Sequence, residues 1–155
     1  MTPEDFIKTI APAAQSSMRS THIPASFVIA EAALESGWGL SLLVVEGRNL
    51  FGVKADASWH GDILTMRTRE FLHGQWVIVP ALWRKYPDWL SCITDHAEFL
   101  QDNPRYKAAF LHTDVEAFTR AVAAAGYATD PDYADKIISV IRAHNLTQFD
   151  LQGVV

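Results

Sequence analysis

The sequence predicts an α+β domain: a mainly helical body with one small β-hairpin lobe flanking a groove. Three observations carry that prediction. Apolar residues recur at helical spacing in the first forty residues and again after Pro87. The stretch from Asp62 to Tyr86 is instead rich in β-prone residues. No internal repeat, low-complexity tract or Gly/Ser/Pro linker divides the chain, so its 155 residues read as one compact unit. We take residues 1–150 as that single domain and 151–155 as a short tail.

Each element has a local cause. Thr2 is a good N-cap, Pro3 suits the first helical position, and Glu4 and Asp5 place negative charge in the first turn. Phe6, Ile7, Ile10 and Ala14 continue one apolar face, so the first helix is expected to run to about Met18. A second helix opens near Pro24 and Ser26. It carries Phe27, Val28, Ala30, Ala32, Ala33 and Leu34 before Gly37 and Gly39 stop it, which puts Glu35 in the last turn of a mostly buried helix. Ile63, Leu64, Met66 and Phe71, then Trp76 to Val79 with Leu82 and Trp83, form the arms of a hairpin turning at His73-Gly74, with room for a third strand. Helical spacing then returns with Trp89, Ile93, Ala97 and Leu100, with Val115, Phe118 and Val122, and with Tyr133, Ile137, Ile138 and Ile141. A helical body beside a β lobe is a common setting for a binding groove.

Composition excludes several function classes. The formal net charge is −5 and the basic residues do not cluster, which argues against a nucleic-acid partner. The same sign gives no long-range attraction to an anionic polymer, so such a substrate has to be held locally. Cys92 is the only cysteine; it forms no internal disulfide and is expected to be a buried, inert thiol. The amino end lacks a basic patch followed by an apolar run, and no stretch is long and apolar enough to cross a bilayer. We therefore expect no signal peptide and no membrane insertion. The six histidines show no metal-ligand spacing, Asp95-His96 reads as a satisfied helix contact, and the glycines do not form a phosphate-cradling loop; no metal or cofactor is expected.

One segment carries chemistry. Ala33-Leu34-Glu35-Ser36-Gly37-Trp38-Gly39 puts a carboxylate at a helix end beside an indole and two glycines. Burial disfavours the charged form of a carboxyl, and an apolar wall such as Trp38 is what keeps an acid protonated near neutral pH for glycoside cleavage. The plain alternative is a solvated Glu35 near a helix C-terminus, although the helix dipole disfavours an acid there.

Further segments widen the match. Asn49-Leu50-Phe51-Gly52-Val53-Lys54, Thr68-Arg69-Glu70-Phe71 and Gly126-Tyr127-Ala128-Thr129-Asp130-Pro131 follow in order, with Asp95-His96-Ala97-Glu98-Phe99-Leu100 as a further helix. Together with the Glu35 segment they resemble the signature of glycoside hydrolase family 73, the β-N-acetylglucosaminidases of flagellar rod-type wall hydrolases, autolysins and phage lysins. The resemblance covers most of the chain. It implies a lysozyme-like fold and an endo-β-N-acetylglucosaminidase acting on peptidoglycan strands, at the β-1,4 bond between N-acetylglucosamine and N-acetylmuramic acid. It implies a monomer that needs no cofactor and works at the cell wall, in the periplasm or outside the cell. Carried over by residue, Glu35 matches the proton donor, Glu70 the second glutamate on the β lobe and Tyr127 the tyrosine near the cleavage point, with Tyr133 as second choice. Trp38, Asn49, Phe51, Tyr86 and Tyr133 are expected to bind substrate, Tyr86 above all by contact with glycan.

Each assignment has a structural counterpart: Glu70 as a surface charge on a hairpin arm, Tyr127 as a core aromatic, and the aromatics Phe71, Trp76, Trp83, Tyr86 and Trp89 as packing groups. Glu31 departs from the family, which more often has a neutral amide four residues before the acid. If Glu31 and Glu35 approach, like charge raises the pKa of the pair; if Glu31 meets solvent or a base, it does not act this way. Whether the second carboxylate activates water, attacks the sugar, or yields to the substrate's own acetamido oxygen stays open, as do a lytic transglycosylase, a muramidase and a non-catalytic wall-binding or assembly module.

Overall fold

The computed structural model describes residues 1–151, so most of the expected tail lies outside the described residues. Six α-helices, two strands and two short 3-10 segments follow in the order α1 (Pro3–Thr21), α2 (Ala25–Ser36), α3 (Leu42–Gly47), β1 (Asp62–Leu72), β2 (Gln75–Lys85), α4 (Trp89–Asp102), α5 (Val115–Ala124) and α6 (Tyr133–Ala143). The 3-10 segments span Pro104–Leu111 and Leu146–Phe149. This is the α+β arrangement the sequence predicts, with α3 and both 3-10 segments added.

The start of α1 follows from its capping box: Asp5 N donates to Thr2 Oγ1 at 3.1 Å and Thr2 N donates to Asp5 Oδ2 at 3.2 Å. The helix runs three residues past Met18 and ends where His22 turns left-handed at φ 63°. Helix α2 is the centre of the body. Every residue from Ala25 to Ala33 is buried, and the helix packs against α1, α5, α6 and the final 3-10 segment. A helix apolar on all sides has no solvent face and must be enclosed. Fully buried Phe6, Phe27, Ile29, Phe118 and Ile137 fill the space around it, each contributing about 1.5–3 kcal/mol of burial.

The hairpin is two-stranded and antiparallel, Glu70 pairing with Val77 and Leu64 with Trp83; the third strand is reduced to a single bridge between Lys54 and Trp83. Alternation gives it one half-buried face with Leu64, Met66, Thr68, Glu70, Val77, Val79 and Trp83, and one open face with Phe71, Trp76 and Ile78. Phe71 and Trp76 are thus neither core nor groove floor: they meet each other on the open face, where Arg69 covers the Trp76 ring at 4.7 Å. The hairpin is tied to the body at its base, where Tyr86 N donates to Gly47 O at 2.9 Å and Arg84 N to Val53 O at 3.1 Å.

Candidate active site

Glu35 is the penultimate residue of α2, which ends at Ser36 before two left-handed residues, Gly37 at φ 58° and Trp38 at φ 59°. The reversal is closed by Gly37 N and Trp38 N bonding to Ala33 O, and by Ser36, whose Oγ accepts from Gly39 N at 2.9 Å while donating to Ala32 O. Gly39 has φ 81°, and a Cβ there would sit 2.8 Å from Phe6 Cδ2, so the turn that presents Glu35 requires this glycine. Trp38, expected as the apolar wall beside the acid, instead packs edge-on against Phe6 (5.8 Å) and His144 (4.8 Å). The strained turn directs its indole back onto the body. It anchors the end of α2.

The environment of Glu35 still favours a protonated carboxyl. The residue is open to solvent on one side, yet desolvation by surrounding protein raises its pKa above the ordinary carboxylate range. The charge of Glu31 raises it further and that of His96 opposes. Glu31, one turn earlier, is 0% exposed. The two readings of this residue combine: Glu31 meets a base, Oε1 lying 2.5 Å from His96 Nε2 and Oε2 accepting the hydroxyl of Tyr133, and its charge still raises the pKa of Glu35. Tyr127 Oη contacts the same Nε2 at 3.0 Å, and Phe51 stacks on the His96 ring with centroids 4.1 Å apart. Burial pushes both tyrosine hydroxyls far above their ordinary range, with Glu31 contributing, so both remain protonated.

These contacts bring Tyr127, Tyr133 and Phe51 into one network around Glu31 and His96, one helical turn before Glu35. Tyr133 is buried with its hydroxyl committed to Glu31, so it acts on that carboxylate and not as a direct sugar contact. Glu31 and His96 were the residues that sequence reasoning left outside the site. The only signal for them was the charged residue in place of an amide at Glu31; a histidine 65 positions away becomes its partner only through packing.

Glu70 lies elsewhere, on the half-buried face of β1, where Oε1 accepts from Lys54 Nζ at 2.8 Å. Lys54 also lies over the Trp83 ring at 5.7 Å. Asn49 differs from the expectation of substrate contact. It is 1% exposed and its carboxamide is fully used, Nδ2 donating to Val53 O and Arg84 O and Oδ1 accepting from Val53 N, so it joins the 49–53 loop to β2. Tyr86 also differs: it is 3% exposed and donates its hydroxyl to Asp95 at 2.6 Å. Its ring borders a wide concavity, about 660 Å³ between the hairpin base and α4, with Trp59, Leu90 and Asp95. Glu35 is not on that wall, so cavity size and charge environment point to different places. A wide hollow supplies no proton donor, whereas a solvent-facing carboxyl of raised pKa is suited to that role. A smaller hollow of about 170 Å³, lined by Val53, Arg84, Asp95, His96 and Phe99, adjoins both through Asp95 and His96. Asp95 in turn binds Arg84 at 2.7 Å. Asp95-His96 is thus satisfied as expected, through tertiary partners.

Among the described residues no group of His, Cys, Asp and Glu is arranged to hold a metal ion, and no helix is long and apolar enough to cross a membrane. Cys92 is buried as expected, and its thiol is pushed up to about 12, mainly by burial.

A family model described as mannosyl-glycoprotein endo-beta-N-acetylglucosaminidase matches residues 11–146. The chain belongs to this glucosaminidase family. It is 40% identical over 143 residues to the peptidoglycan hydrolase FlgJ of Vibrio parahaemolyticus, covering 90% of this chain and 46% of that protein. It is 35% identical over 150 residues to the exo-glucosaminidase LytG of Bacillus subtilis, covering 94% of this chain and 52% of that one. The chain thus spans about half the length of these relatives. The catalytic domain of the autolysin Auto from Listeria monocytogenes superposes with a TM-score of 0.86 at 34% identity, over 96% of this chain and 87% of that domain. The glucosaminidase family resemblance seen in the motifs and the lysozyme-like fold it implies are both established by these matches.

Proposed function

We propose that this glucosaminidase-family chain is a peptidoglycan hydrolase, an endo-β-N-acetylglucosaminidase cleaving the β-1,4 bond between N-acetylglucosamine and N-acetylmuramic acid, with Glu35 as general acid. The observation that carries the reading is Glu35 itself: open to solvent, yet with its carboxyl pKa raised by desolvation and by Glu31. Such an acid holds a proton until the leaving oxygen needs it. Membership of the family and the names of the relatives support the reaction class and the substrate.

In this mechanism Glu35 gives its proton to the glycosidic oxygen as the C1–O bond breaks and positive charge develops on the sugar ring. Water completes the reaction, its proton taken by a carboxylate, or the substrate's acetamido oxygen attacks first and is displaced by water. Glu70, carried on the hairpin and held by Lys54, is our candidate for the base or electrostatic partner. Tyr127, fixed against His96, is our candidate for orienting the sugar. Tyr86 serves as a wall of the wide hollow, and Phe51 backs the His96 ring. We assign residues 1–150 as one catalytic domain, acting as a monomer on the cell wall. Acid-assisted cleavage calls for no metal or cofactor.

The test is digestion of purified peptidoglycan by the wild type and by Glu35→Gln, with released fragments reduced and their ends identified by mass spectrometry. Reduced N-acetylglucosamine ends on internal fragments, absent with the variant, are expected. Release of terminal units alone points to exo-action, the activity named for the Bacillus relative. Anhydro ends overturn the assignment in favour of a transglycosylase, reduced muramic ends in favour of a muramidase, and no release by folded protein in favour of a wall-binding module.

A further inference from the structure

Beneath Glu35 lies a buried pair for which the cleavage mechanism has no direct use. Glu31 is 0% exposed and His96 is 9% exposed, and they meet at 2.5 Å. A buried charge without strong compensation is costly, so a carboxylate enclosed in the central helix needs a specific reason and a specific partner. It has both polar partners it needs: His96 from α4 on one oxygen and Tyr133 from α6 on the other.

We propose that Glu31 and His96 are positioning residues for the active site, a buried pair that ties α2, one turn before Glu35, to α4 and holds Tyr127 in place. The proposal rests on the assignment of Glu35 as the general acid. The geometry sets the direction of each effect. The 2.5 Å contact fixes the His96 imidazole edge against the Glu31 carboxyl group. Tyr127 Oη lies 3.0 Å from the same nitrogen, so the imidazole also fixes the position of this hydroxyl. Glu31 lies one helical turn from Glu35, and its charge opposes ionisation of the acid; His96, when protonated, favours it.

Other charges around the pair do not reproduce this pattern. Tyr127, Tyr133 and Tyr106 face it as neutral hydroxyls or nearby rings, with the first two held far above their ordinary range by burial. Asp95 and Arg84, which share the small hollow beside His96, neutralise one another at 2.7 Å. Phe51 and Phe99 cover the imidazole and carry no charge.

The experiment is the kcat–pH profile on peptidoglycan for the wild type, Glu31→Gln, His96→Gln and the double variant, each checked for folding by circular dichroism. The alkaline limb is expected to move to lower pH by about half to one unit in Glu31→Gln and to higher pH by a similar amount in His96→Gln. The double variant is expected to return towards the wild type. Shifts in the same direction, or no shift in folded variants, overturn the proposal. A second measurement reads the acid directly. In carbon-13-labelled protein, the Glu35 carboxyl titration is expected to move to lower pH in Glu31→Gln and to higher pH in His96→Gln, and a Glu35 curve that is the same in the folded variants and the wild type overturns the proposal. Glu35→Gln is the separate control: if it retains wild-type cleavage, the acid assignment itself fails, whatever the pair does.

Discussion

The carboxylate of Asp150 caps the helix that carries Glu35: Oδ1 accepts from Ser26 N and Oδ2 from Ser26 Oγ, each at 2.7 Å. Pro24 occupies the N-cap position of α2 without a side-chain bond, so the chain supplies from its far end what is missing locally. The last residues of the domain are thereby joined to the first turn of the central helix.

Replacing Asp150 by Ala is expected to lower stability by about 1–2 kcal/mol, the usual effect of losing a helix cap. For a domain of this size that corresponds to a fall in Tm of roughly 2–4 °C per kcal/mol. Asp150→Asn keeps an acceptor and should lose less. Thermal unfolding of the two variants checks this, and an unchanged Tm for the alanine variant would count against the capping role.

The raised pKa of Glu35 has a consequence for stability as well as rate. A carboxyl whose folded-state pKa lies above its unfolded value favours folding fully below the unfolded pKa, and that contribution is lost as pH rises through the folded one. Glu35→Gln is therefore expected to be more stable than the wild type at neutral pH, with the difference closing towards about pH 4. The same variant is expected to lose on the order of 100-fold or more in kcat. Denaturation at both pH values, beside the cleavage assay, tests the two signs together.

Lys54 and Glu70 form an ion pair on the partly open hairpin, where such pairs contribute about 0–1 kcal/mol. Glu70→Gln is expected to leave Tm nearly unchanged while lowering kcat at least tenfold if Glu70 is base or electrostatic partner. A variant with normal kcat would reduce Glu70 to a surface charge.

Gly39→Ala places a methyl group 2.8 Å from a ring carbon of Phe6, at a left-handed φ of 81°. Overpacking of this kind typically costs about 1–3 kcal/mol, and the backbone strain adds to it. Because this turn follows Glu35 directly, kcat is expected to fall more than KM rises. Urea unfolding and steady-state kinetics measure the two effects.

Cys92 is buried, with its thiol pushed up to about 12. It is expected to resist a thiol-reactive dye in the native protein and to react on addition of denaturant. Rapid labelling under native conditions would show that α4 opens locally.

Local chemistry determined much of this protein from the sequence alone. The capping box at Thr2 and Asp5, the left-handed stop at Gly37 and the turn at His73-Gly74 depend on residues adjacent in the chain, which is why the boundaries of α1, α2 and the hairpin were legible. The all-round apolar character of α2 likewise marked it as enclosed. Glu35 was legible because its type, its place at a helix end and the ordered motifs around it agree. Tertiary structure decided the rest. It turned Trp38 onto Phe6, committed Asn49 to a backbone clasp and Tyr86 to Asp95, brought His96 to Glu31, and carried Asp150 to the start of α2. The physical reason is common to these cases. A buried polar side chain must find its partner wherever the fold places one, and helical periodicity or residue type does not record which distant donor will arrive.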